Sequence, residues 1–125
     1  MSNMSDDAWM EAAKDTLMNI AAVSGVAVCD LRPAQTLVAD LGLDDNGLAI
    51  LAEYQARIAG RLVCDAAVPA ADGEAFRDDM VWQVFCRALR GCDGAPSSAD
   101  AATAMLAQAL GALRASGAAP GRAPD

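Results

Sequence analysis

Histidine is missing from all 125 residues. Its absence removes the usual general base near neutral pH, and with it every Ser/His or Cys/His nucleophile pair. Mixed Cys/His zinc sites go with it, and the four cysteines, at 29, 64, 86 and 92, form no CxxC pair. They are expected as reduced thiols behaving as small apolar residues. Cys86 and Cys92 can meet only if the chain turns back near Gly91. Basic charge is scarce, with 9 Lys and Arg against 17 Asp and Glu and a net charge of −8. That balance argues against nucleic acid as a partner. Where charge guides recognition, it points to a protein partner with a basic surface; acidity also keeps a small alanine-rich chain soluble. No apolar window approaches the roughly 18 to 20 residues needed to cross a bilayer. The opening "MSNMSDDAWMEAAK" carries aspartates where a secretory signal would carry a basic patch and an apolar run. No membrane association and a cytoplasmic location are the expectation. No pair of acids lies in an apolar segment that would shift a carboxyl pKa, so the reading is not an enzyme.

The chain is long enough for one modest core. Residues 6–23 place Met10, Ala13, Leu17 and Ile20 on one stripe with Trp9 and Thr16 beside it, which predicts an amphipathic helix. Asp6 and Asp7 suit its positive end and Gly25 its stop. Residues 26–45 form a connection broken by Pro33. It holds Val26, Val28, Leu31, Leu37, Val38, Leu41 and Leu43, too many apolar residues for a solvated loop, so it must cross a core.

Residues 46–64 fit two periods. As a helix, Leu51, Tyr54, Ile58 and Leu62 form a stripe, and Glu53, Arg57 and Arg61 fall at i, i+4, i+8 where they can pair. As strands, Leu48, Ile50, Tyr54, Ile58, Leu62 and Cys64 share one parity, with "DDNG" as a turn. The helix is favoured, because alanine is frequent and β-branched residues are few. After the loop "DAAVPAADGE", residues 75–90 predict a helix with Val81, Val84, Phe85 and Ala88 inward and Asp78, Asp79, Arg87 and Arg90 outward; Gly91 and Gly94 end it. A last helix opens on the capping pattern Ser97-x-x-Asp100. Its stripe of Ala102, Met105, Leu106, Ala109, Leu110 and Leu113 predicts a homodimer through this helix unless it folds back. Met10, Met18, Met80 and Met105 are expected in the core, and the tail 117–125 is expected to be disordered.

The stretch "TLVADLGLDDNG", residues 36–47, resembles the segment that leads into the modified serine of acyl carrier proteins. In that family an "LGxDS" motif opens the second helix of a small acidic four-helix bundle, and its serine is esterified to a phosphopantetheine arm. Here Asp45 stands where the serine would be. Gly25, at the end of the first helix, lies 20 residues before Asp45, as in a carrier protein, and "FRDDMVWQVFCRAL" is similar in pattern to the family's last helix. The resemblance covers roughly residues 6–90. It implies an all-α, acyl-carrier-like four-helix bundle over residues 1–95, with an extra C-terminal amphipathic helix over 96–116. Three departures concern function: Asp45 has no hydroxyl to esterify, Asn46 and Gly47 follow it where a leucine would pack beneath the arm, and the second helix offers only Glu53 while adding Arg57. The resemblance therefore implies a protein-interaction module without phosphopantetheine or another cofactor, and Asp40, Asp44, Asp45, Asn46 and Glu53 as the partner-binding surface. Asp44 and Asp45, or Asp45 alone, can cap the following helix. Hard cations favour carboxylates, but no EF-hand spacing is present and no metal is expected. Two alternatives stand beside this reading. One is a genuine carrier modified at another hydroxyl, such as Ser24, Ser97 or Ser98. The other is a small acidic dimeric chaperone resembling those of bacterial type III secretion, which the strand reading of 48–65 would suit.

Overall fold

The computed structural model describes residues 6–62, 76–89, 96 and 98–115. The loop 65–74, Cys64, Arg90, Gly91, Cys92, Gly94, Ser97 and the tail 117–125 lie outside the described residues, as do the side chains of Asp6, Asp7, Arg61 and Leu62. Four α-helices run in the order α1 (Asp6–Ser24), α2 (Asp45–Leu62), α3 (Val81–Ala88) and α4 (Ala99–Ala115), with a short 3-10 turn at Val28–Asp30. The fold is all-α, and the described residues contain no strand. Residues 45–62 are helical, so the period-2 alternation that suited a secretion chaperone is not used. Leu48, Leu51, Ala52, Gln55 and Ile58 turn into the core, and Tyr54 is half-buried.

α1 is the central element, packing against α2, α3 and α4. It buries Ala12, Ala13, Thr16, Leu17, Ile20 and Ala21, with Trp9 and Met10 packed at the margin. Gly25 ends it at φ +78°, the left-handed conformation that glycine adopts without a Cβ penalty, and its N–H donates to the Ala21 carbonyl at 2.9 Å. Met18 departs from expectation: it is 48% exposed, because it falls on the side of α1 turned away from the three helices.

The connection between α1 and α2 crosses the core as its apolar content requires. Val28, Leu31, Leu37, Leu41 and Leu43 are buried. Each apolar side chain so placed contributes on the order of 1.5 to 3 kcal/mol. The backbone of 36–43 closes on itself, with Leu41 donating to the Thr36 carbonyl, Gly42 to that of Val38 and Leu43 to that of Leu37. Gly42 allows this closure at φ +77°.

The third helix is shorter than its periodicity predicts. Val81, Val84, Phe85 and Ala88 face inward as expected, but residues 77–80 are not helical. The backbone of 79–82, which includes the first turn of α3, pairs with the connection: Leu37 donates to the Asp79 carbonyl, Val81 to that of Gln35 and Trp82 to that of Pro33, with one antiparallel bridge between Thr36 and Met80. Asp79 is buried rather than outward-facing. Its carboxylate takes two bonds from Arg87, to Nε at 2.5 Å and Nη2 at 3.3 Å. Arg87 also lies over the Phe76 ring, 6.0 Å from its centroid.

α4 folds back. Ala102, Leu106, Ala109, Leu110 and Leu113 are buried within the chain, against α1, α3 and the 3-10 turn. Arg114 Nη2 donates to the Cys29 carbonyl at 3.1 Å and pins the last turn. The face expected to join two chains is covered by one, so the homodimer loses its basis, and α4 is a working member of the bundle rather than an appendage. Its cap is Ser98, not Ser97: Ser98 Oγ accepts from the Ala101 N–H at 3.2 Å and its carbonyl from the Ala102 N–H at 3.1 Å. With the cap shifted by one, Asp100 leaves the capping-box position.

Candidate functional site at the head of α2

The helix start falls one residue earlier than an Asp45 cap would put it. Asp44 is the cap: its carbonyl accepts from the Leu48 N–H at 2.9 Å and its Oδ1 from the Gly47 N–H at 2.8 Å. Asp45 is therefore the first residue within α2, and Asn46 follows it, both exposed. Gly47 is buried in the first turn, yet a Cβ there would meet Asp44 Oδ1 only at 3.4 Å, an ordinary contact, so the site does not require glycine. Asp44→Ala removes the cap and is expected to lower stability by about 1 kcal/mol, read as a shift in the urea midpoint at constant slope. An unchanged midpoint would mean that the cap carries no weight.

Asp45 is not left alone at the positive end of α2. Arg77 Nη2 donates to its Oδ1 at 2.5 Å from the far side of the chain, with the Asp45 side chain 83% exposed. A pair this exposed contributes little to stability. Its effect is on placement, since it holds the carboxylate at the helix head and offsets its charge there. Nothing in the local pattern around residue 45 signals Arg77, which lies 32 residues away.

Asp40 also has a structural task. Its Oδ2 accepts from Thr36 N at 2.8 Å and Thr36 Oγ1 at 3.1 Å, while its own N–H donates to Thr36 Oγ1 at 3.1 Å. These bonds stiffen the turn that carries Leu37 and Leu41 into the core. The structure thus gathers Asp44, Asp45 and Asn46 at one helix end, with Asp40 in the preceding turn. Glu53 stands apart, exposed and eight residues beyond Asp45, roughly 12 Å along the axis. Among the described residues no group of three acids or cysteines is arranged to hold a metal ion.

The two cysteines among the described residues lie elsewhere. Cys29 and Cys86 are free and half-buried. Burial pushes the Cys86 thiol above its ordinary pKa, which disfavours the thiolate and makes it a poor nucleophile. The Arg87 guanidinium is raised by its hydrogen bond to Asp79. No helix among the described residues is long and apolar enough to cross a membrane.

No family model, curated protein or solved structure matches this chain.

Proposed function

We propose that this chain is an acyl-carrier-like domain without an attachment serine, a noncatalytic module that binds a protein partner with a basic surface through the head of α2. The observation that carries the reading is the place of Asp45. It is the exposed first residue of a helix, at the end of an apolar loop anchored by Leu37, Leu41 and Leu43, where the resemblance puts the modified serine. An aspartate there keeps a favourable charge at the helix end while removing the hydroxyl that a phosphodiester needs. Asp44, Asp45 and Asn46 form the centre of the binding surface, with Asp40 and Glu53 at its margins.

The intact mass of the protein, after incubation with coenzyme A and a broad-specificity phosphopantetheinyl transferase, tests this beside an Asp45→Ser variant. The variant is expected to gain one arm and the natural chain none. A natural chain that gains the arm makes it a working carrier through another hydroxyl. Ser24 and Ser98 are poor candidates for that route, because the oxygen of each already accepts a backbone N–H. If neither chain is modified, the head of α2 lacks carrier geometry and the proposal fails.

A further inference from the structure

A cleft of about 350 Å3 opens between α1 and α2, lined among the described residues by Asp15 and Asn19 on one side and Tyr54, Arg57 and Ile58 on the other. Small-molecule sites run from roughly 300 to 1,000 Å3, so its size suits a ligand of few atoms. Residues 54–58 lie 9 to 13 positions beyond Asp45, roughly 14 to 20 Å along α2, so the cleft is separate from the head of the helix.

The cleft rests on a fixed polar relay. Asn19 Nδ2 donates to Gln55 Oε1 at 3.0 Å, and Gln55 Nε2 donates to Thr16 Oγ1 at 3.0 Å. Gln55 is only 4% exposed and Thr16 not at all, so the relay sets the orientation of the Asn19 amide where it meets the cleft. Arg57 supplies the second feature. Its spacing from Glu53 favours an i, i+4 ion pair, but that pair does not form; the guanidinium instead sits over the Tyr54 ring, 5.7 Å from its centroid. In a chain with 17 acids, an arginine stacked on a tyrosine beside a cleft, rather than joined to the nearest carboxylate on its own helix, is held toward that cleft.

We propose that this cleft binds a small amphoteric molecule with an apolar body. Its carboxylate takes the fork of Arg57, whose parallel donors match a planar anion. Its ammonium lies toward Asp15, since a carboxylate accepts several hydrogen bonds at once and disfavours a second negative charge nearby. Its hydrocarbon part meets buried Ile58 and the Tyr54 ring. An α-amino acid with an aliphatic side chain is the smallest molecule with all three parts.

The test is a titration of the full-length, isotope-labelled chain followed by amide NMR, with three probes of nearly one shape: L-leucine, leucinamide without the carboxylate, and 4-methylpentanoate without the ammonium. L-leucine is expected to shift the Asn19 side-chain amide and the backbone amides of 54–58 saturably. Each truncated probe and an Arg57→Gln variant should bind at least roughly tenfold more weakly, the loss that follows from one charged hydrogen-bond partner. Arg57 is exposed, so the variant should keep the wild-type spectrum away from the cleft. No saturable shift with L-leucine overturns the proposal. So does unchanged L-leucine binding in the variant, or equal binding of leucinamide. Equal binding of 4-methylpentanoate overturns the role of Asp15. None of these outcomes depends on the phosphopantetheinyl result.

Discussion

Leu106→Asp abolishes the folded bundle. Leu106 is fully buried at the middle of α4, where the helix lies across α1 and α3. Truncating such a leucine to alanine costs about 2 to 5 kcal/mol through lost transfer energy and the cavity left behind. An aspartate adds the desolvation of a charge at a fully buried position, several kcal/mol more. The total approaches or exceeds the roughly 5 to 15 kcal/mol by which single domains are stable. Far-ultraviolet circular dichroism should therefore show loss of most helix in Leu106→Asp, while Leu106→Ala stays folded with a midpoint lowered by about 3 kcal/mol. If Leu106→Asp keeps its helix content and only its mass in solution falls, α4 is an interface between chains and its packing against α1 and α3 is wrong.

Arg87→Ala is the second large effect. Asp79 is 6% exposed and sits where three segments meet: its carbonyl receives Leu37 of the connection, its carboxylate receives Arg87 of α3, and its own N–H donates to Phe76. Removing Arg87 leaves a buried carboxylate without its bidentate partner. A fully buried pair broken in this way costs about 3 to 5 kcal/mol. The Arg87 side chain is 37% exposed, so water replaces part of the interaction and about 2 to 3 kcal/mol is expected. The double variant Arg87→Ala, Asp79→Asn should recover part of that loss, because a neutral amide is less costly to leave unpaired than a charge. Equal destabilisation in the single and double variants would mean that the pair is incidental and that Arg87 acts through its contact with Phe76.

Much of the fold could be read from the residues in order. The stripe on α1, its stop at Gly25 and the burial of Leu31, Leu37, Leu41 and Leu43 follow from local spacing and from the number of apolar residues in a supposed loop. The choice of helix for 45–62 follows from its alanine content. The place of the acids in the candidate site was legible, since those at 44 and 45 lie where a helix begins. Which of them caps it was not, because the cap depends on where the first intrahelical bond forms, and that bond belongs to Asp44.

The misplaced residues share a cause. Residues 77–80 carry a helical pattern, but the backbone at 79–82 bonds to residues 33–37, more than 40 positions earlier. That exchange buries Asp79, which looked outward-facing on a continuous helix. Arg77 reaches Asp45 across 32 residues for the same reason. Met18 is apolar yet exposed, since periodicity names the faces of a helix without saying how many neighbours will cover them. The stripe on α4 had two possible covers, a second chain or its own, and identical residues serve either.

The sequence by itself determined the helices, their main apolar faces, the core-crossing connection and the absence of a hydroxyl at residue 45, because each depends on residue type and on spacing within a few positions. Only the tertiary structure decided that α4 closes the monomer, that Asp79 is buried on Arg87, that Arg77 holds Asp45 and that Arg57 turns to Tyr54 beside the cleft. These depend on which distant segments come within hydrogen-bond distance, and a short-range pattern carries no record of that.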